Sequence, residues 1–168
     1  MSWLNVEIKA RCADLEAVAA RLAELGARFV GLDRQVDTYF NCPDGRLKLR
    51  VGTIERALIH YRRPDIVGLR DCRVTLERLP PDVDLRPVLA AALGIAGEVV
   101  KARRIYFLDN VKVHLDRVEG LGTFVEIEAI DADGSRGAER LTRQCRELMA
   151  ALAIAEGDLL AGSYRDML

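Results

Sequence analysis

Five stretches of this chain set charged or ionisable side chains at alternate positions: Glu7 and Lys9, Lys48 and Arg50, Lys101 and Arg103, Lys112, His114 and Asp116, and Glu126 and Glu128. Side chains at i and i+2 share one face of an extended strand. The intervening positions are mostly Val, Ile, Leu or Ala. Any single pair reads as a solvated sheet face. Repetition along the whole chain points instead to one charged surface built by many strands. If those strands close into a barrel, the charged faces point inward together. Alternation alone does not establish that closure. Lysines and arginines on such a lumen would neutralise a polyphosphate. The carboxylates would hold Mg²⁺ or Mn²⁺, which bridges phosphate oxygens. Phosphoryl chemistry of this kind needs positioning and charge neutralisation more than a nucleophile triad.

The strongest local pattern runs from Val111 to Ile130 and predicts a β-hairpin. Val111, Val113 and Leu115 alternate with Lys112, His114 and Asp116 before the turn at Glu119–Gly122. Glu126 and Glu128 then share one face, and Asp116 is expected across the hairpin from them. Like charges opposed on a sheet are destabilising, and a bound divalent cation reverses the sign. Gly120 and Gly122 read as turn glycines and not as a phosphate loop, because no helix follows them. His114 is a candidate for the lumen, whereas His60 reads as a core or rim residue. Arg11 and Arg104 read as ordinary structural charges. No His/Cys spacing supports zinc.

The elements that would position these residues follow from periodicity. Trp3–Arg11 is a strand whose polar face carries Glu7, Lys9 and Arg11. A helix is expected over 13–25, opened by Asp14 and ended by Gly26. Extended segments follow over 29–40, 47–51, 56–63 and 73–79. A helix opened by Asp82 or Asp84 ends at Gly94, a strand covers 99–108, and an amphipathic helix covers 137–153.

Composition limits the possibilities. With 168 residues, one domain spanning 1–168 is expected. Twenty-five basic residues face 26 acidic ones, so bulk charge gives no footprint for nucleic acid or a membrane surface. The longest uncharged run, near Val88–Gly97, is too short to span a bilayer. Glu7 interrupts the N-terminal region, which predicts no signal peptide. The four cysteines are widely spaced and read as reduced thiols, as in a cytoplasmic protein.

Several motifs together resemble the CYTH family, which joins class IV adenylate cyclases to triphosphate hydrolases such as thiamine triphosphatase. They are Val6-Glu7-Ile8-Lys9, Asp37-Thr38-Tyr39-Phe40, Leu47-Lys48-Leu49-Arg50, Tyr61-Arg62-Arg63-Pro64, Lys101 to Tyr106, Leu115-Asp116 and Gly120-Leu121-Gly122-Thr123-Phe124-Val125-Glu126-Ile127-Glu128. The match runs from Asn5 to Tyr164 and is nearest in character to bacterial proteins resembling class IV adenylate cyclases. The resemblance implies an α+β fold, a closed antiparallel β-barrel forming a triphosphate tunnel with flanking helices. It implies Glu7, Asp116, Glu126 and Glu128 as metal carboxylates for Mg²⁺ or Mn²⁺. It implies Lys9, Lys48, Arg50, Arg62, Lys101, Arg103 and Lys112 as triphosphate contacts, with a one-residue slip able to exchange Arg62 for Arg63. Catalysis would rest on Glu7, Lys9, Asp116, Glu126 and Glu128. The family signature E-x-E-x-K matches at Glu7 and Lys9, but its first position here is Asn5, a neutral oxygen donor.

Three functions remain open on the sequence. The first is conversion of ATP to cyclic AMP and pyrophosphate. The second is hydrolysis of inorganic or organic triphosphate on the same scaffold. The third is a non-catalytic nucleotide or polyphosphate binder, favoured only by Asn5. The partner in each is a triphosphate small molecule, and the resemblance is compatible with a homodimer. Glu126→Gln and Glu128→Gln should each abolish activity, and in Glu128→Gln a thermal melt without metal should stay unchanged or rise, because a like-charge pair is relieved. Full activity in both variants would remove the pair from the site.

Overall fold

The computed structural model describes residues 1–168 and contains eight strands and four α-helices. In chain order these are β1 Ser2–Arg11, α1 Leu15–Glu24, β2 Arg28–Phe40, β3 Arg46–Gly52, β4 Arg56–Arg62, β5 Arg70–Arg78, α2 Arg86–Leu93, β6 Ile95–Leu108, β7 Val111–Val118, β8 Gly122–Asp131, α3 Ala138–Ala151 and α4 Tyr164–Met167. The strands form a closed barrel in the order β1-β5-β4-β3-β2-β6-β7-β8, every neighbouring pair antiparallel. Closure is made by β1 against β8, where Glu7 lies opposite Glu128 and Lys9 opposite Glu126. The closed antiparallel barrel with flanking helices is the architecture expected from the sequence.

The residues facing outward explain where the helices lie. Val6, Ile8 and Ala10 on β1, Val113 and Leu115 on β7, and Val125, Ile127 and Ala129 on β8 form a continuous apolar surface. α1 covers it with Leu15, Val18 and Leu22, and α3 with Leu141, Cys145 and Leu148. Burying each such aliphatic side chain is worth about 2 kcal/mol. Asp14 caps α1 by accepting a hydrogen bond from the Ala17 N–H at 3.1 Å, as the sequence predicts. A second, smaller apolar cluster lies along the inside of the barrel. Phe124 and Tyr164 hold one end of it, with ring centroids 5.0 Å apart. Tyr164 comes from α4, so the C-terminal segment plugs that end of the lumen.

One register differs from expectation. Asp116 lies opposite Phe124, not opposite the two glutamates. His114 faces Glu126 and Lys112 faces Glu128. The hairpin therefore sets a base or cation against each carboxylate, which a sheet tolerates better than like charges.

The opposite mouth of the lumen is shaped by the β3–β4 turn, and a single carboxylate fixes that turn. Asp33 is fully buried on β2. One of its oxygens accepts from Thr53 Oγ1 at 3.0 Å and the Ile54 N–H at 2.8 Å, and the other from the Glu55 N–H at 2.9 Å and Gln35 Nε2 at 2.8 Å. A side chain at Gly52 would come within 2.6 Å of Asp33 Oδ1, so glycine is needed there. The clamp aims Glu55 into the lumen. Asp33→Ala strands two backbone donors and should cost about 2–4 kcal/mol of unfolding free energy in urea. A loss below about 0.5 kcal/mol would show that water replaces the carboxylate freely.

Candidate active site

The lumen holds a cavity of about 130 Å³ that opens to solvent at its mouth. Its wall carries seven cations, Lys9, Lys48, Arg50, Arg63, Lys101, Arg103 and Lys112. Only four carboxylates share that wall: Glu7, Glu55, Glu126 and Glu128. Most of these side chains are buried, so each cation has been taken out of water and requires a partner. The partners are specific. Asp37, buried behind the wall, accepts from Arg50 Nε at 2.9 Å and Nη2 at 2.8 Å, from Lys101 Nζ at 2.8 Å, and pairs with Lys48 Nζ at 3.2 Å. Asp116 takes both arms of Arg103, at 2.7 and 2.6 Å, and the Tyr164 hydroxyl at 2.6 Å. Glu7 pairs with Arg63 and, at 3.3 Å, with Arg70. Glu55 bridges Arg50 and Lys112.

These contacts tune the charges. Burial raises the Asp37 carboxyl, but Arg50, Lys101 and Lys48 more than offset it and hold it well below the usual range. One carboxylate cannot fully satisfy three cations. Burial pushes Lys101 down to about 7, with Asp37 opposing and Arg103, Arg50 and Lys48 reinforcing the fall. Burial likewise pushes Lys9 down to about 8, against the attraction of Glu126. His114, buried and repelled by Arg103, falls to about 4 and is neutral at pH 7.

One group of side chains fits a divalent cation. His114, Glu126 and Glu128 can place one ligand atom each within 4.8 Å of one another. His114 Nδ1 lies 3.3 Å from Glu126 Oε1, while its buried Nε2 has no partner. Glu126 is held ionised: burial raises its carboxyl, and Lys9 and the His114 hydrogen bond lower it further than that. Glu128 is driven upward by burial and by Glu126. A cation bound there would remove the repulsion, so one imidazole and two carboxylates form a donor set that fits a divalent metal ion.

The chain matches the CYTH domain over residues 4–164. It belongs to the CYTH family. A Methanocaldococcus jannaschii protein named as a candidate adenylate cyclase is 27% identical over 172 residues, which cover 98% of both chains. Adenylate cyclase CyaB of Aeromonas hydrophila is 27% identical over 174 residues, covering 97% of this chain and 87% of its own. The solved structure of the PH1012 protein of Pyrococcus horikoshii is similar with a TM-score of 0.79 at 25% identity, covering 98% of this chain and 99% of that one.

Most residues that the CYTH resemblance implies do meet in this lumen: Glu7, Lys9, Lys48, Arg50, Lys101, Arg103, Lys112, Glu126 and Glu128. Two need correction. Arg62 points outward, pairs with Asp44 at 2.6 Å and is more than half exposed; Arg63 is the residue that enters the cavity. The inward positions of β4 are Ala57, Ile59 and Tyr61, and period two continues to Arg63. Asp116 is fully buried behind the cavity wall, with its oxygens engaged by Arg103 and Tyr164. It positions an arginine and stands apart from the Glu126–Glu128–His114 group. Of the four carboxylates expected at a metal, only Glu126 and Glu128 converge. His60 sits on the rim, with Nε2 2.8 Å from the Asp44 carbonyl.

Strand alternation assigns no role to Glu55, Arg70 or Tyr164, and Asp37 stands only within a motif. Asp37 was within reach, because it shares a strand face with Tyr39 in a quoted motif. Glu55 and Tyr164 lie on a turn and a terminal segment, where no periodicity reports direction.

A polyanion beside Lys9 and Lys101 favours their charged forms and raises both pKa values. Binding therefore takes up protons, and affinity falls as pH climbs through the unbound values of about 7 and 8. Calorimetric titration of inorganic triphosphate at pH 8, in two buffers of different ionisation enthalpy, should show that uptake. Identical heats in both buffers would mean the lysines are already charged in the free protein.

Proposed function

We propose that the protein is a metal-dependent enzyme acting on triphosphates, and specifically an adenylate cyclase. The observation that carries this reading is the charge of the closed barrel: seven cations on the cavity wall against four carboxylates there, with Asp37 and Asp116 behind the wall offsetting only part of the excess. Such a lumen has a net appetite for a linear polyanion, and family membership supports the same class of substrate. The names of the two adenylate cyclase-like relatives, matched over nearly the whole chain, favour cyclisation over hydrolysis.

The side chains divide the work. Arg103, held in one orientation by Asp116, offers a fixed fork for phosphate oxygens. Lys9 and Lys101 both approach the Tyr164 ring, with Nζ 3.8 and 5.6 Å from its centroid, and place point charges in the lumen. Arg63, anchored by Glu7, and Lys48 and Arg50, anchored by Asp37, line the remaining wall. The cation would be held by Glu126, Glu128 and His114, and when bound supplies charge neutralisation and acidifies a coordinated hydroxyl. In cyclisation the ribose 3′-hydroxyl gives its proton to water, its oxygen bonds to the α-phosphorus as the bond to the bridging oxygen breaks, and pyrophosphate leaves with that electron pair. The lumen cations stabilise the charge that develops on the departing pyrophosphate.

Incubating the protein with Mg²⁺ or Mn²⁺ and ATP should yield cyclic AMP and pyrophosphate, resolved by chromatography. Arg63→Ala should lower the rate at least tenfold, whereas Arg62→Ala should stay within about twofold of wild type. Orthophosphate without cyclic AMP would replace the cyclase by a triphosphatase. No product, but a raised Tm with triphosphate, would leave a binding protein.

A further inference from the structure

The cavity is not charged throughout. Trp3 and Asn5 precede Glu7 and Lys9 on the same face of β1, and both line the cavity. Trp3 lies opposite Val74, and Asn5 lies between Cys72 on β5 and Ile130 on β8. Leu76 and Ile59, paired across β4 and β5, complete this end of the wall. It is an apolar surface continuous with the cationic depth of the lumen.

Two polar atoms in this apolar wall have no partner. They are the indole Nε1 of Trp3, a donor, and Oδ1 of Asn5, an acceptor. Asn5 is 3% exposed. Buried polar groups almost always have partners, and leaving one unpaired is costly. An inorganic polyphosphate would satisfy neither the apolar wall nor the Asn5 oxygen, which repels anions. A planar heterocycle would satisfy both, because its faces are apolar and its edge carries a ring acceptor beside an amino donor.

We propose that the Trp3–Asn5 end of the cavity is a base-recognition subsite, so that the ligand is a nucleoside triphosphate and not inorganic triphosphate. This rests on the reading that the cationic depth seats a triphosphate. It also gives Asn5 a role different from that of the glutamate in the family signature. A carboxylate between Cys72 and Ile130 would set a charge against apolar neighbours and beside Glu7. An amide presents an acceptor there without that charge.

Equilibrium titrations with ATP and with inorganic triphosphate, each in Mg²⁺ and in EDTA, test the subsite. Charge alone gives ATP no advantage over inorganic triphosphate, so ATP should bind more tightly by the contribution of its base. Trp3→Leu and Asn5→Leu should each weaken ATP by about three- to tenfold and leave inorganic triphosphate unchanged. That unchanged affinity also shows that the variant is folded. Trp3→Phe, which keeps an aromatic ring but removes the N–H, carries the test if Trp3→Leu does not fold. Wild-type ATP binding no tighter than that of inorganic triphosphate overturns the subsite. So does an equal loss of both ligands in the variants, which would place Asn5 with the phosphate and metal machinery. If neither ligand binds in either condition, the triphosphate reading itself fails, and the subsite with it.

Discussion

Buried charge sets the terms for this structure. Seven cations face one lumen, and each must be compensated where water is scarce. Desolvation of an ion costs several kcal/mol even after relaxation, and removing one member of a buried pair is typically worse than never having made it. The carboxylates of Asp37, Asp116, Glu7 and Glu55 therefore have a structural task before any chemistry begins. They keep lysines and arginines extended and apart. Compensation is deliberately incomplete in effect, since three cations lean on Asp37 alone. The residual positive potential is what a polyanionic ligand would complete.

This constraint displaces the hydrophobic core. A barrel this size normally fills its interior with apolar side chains. Here most of the interior is given to ions, and the main apolar cluster forms outside, between β1, β7, β8 and the helices α1 and α3. The helices are thus more than decoration on a barrel. The half of the barrel that bears Glu126, Glu128, His114 and Lys9 is the half they support. The carboxylate group is carried on strands backed by the best-packed part of the molecule, and a site of fixed geometry needs that backing.

Much of this was legible in the chain because strands report their faces by period two. The alternation at Glu7–Lys9, Lys48–Arg50, Lys101–Arg103 and Glu126–Glu128 placed those residues on one surface, and the barrel places them together. The reading faltered where that signal weakens. In β4 both faces carry apolar residues, Leu58 and Ile59 among them, so Arg62 and Arg63 could not be told apart without the pairing register. Arg70 follows a Gly-containing loop just before the strand expected at 73–79. Asp116 obeyed the alternation, yet its role is set by Arg103 on one neighbouring strand and Tyr164 in a distant segment. Local spacing says which face a residue takes; it says nothing about what else arrives there.

The arrival of Tyr164 has a consequence for the order of synthesis. The barrel closes only when β8 meets β1, a pairing between segments more than a hundred residues apart. Even then one end of the lumen stays open until Tyr164 inserts beside Phe124 and donates to Asp116. A ribosome feeding out this chain from its N-terminus delivers the cations of β1 to β6 long before the plug. Until then Lys9 and Lys101 lack the aromatic ring they approach, and Asp116 lacks the Tyr164 hydroxyl. The cavity therefore needs the chain as far as Tyr164, and a fragment that stops short of that residue lacks part of its wall.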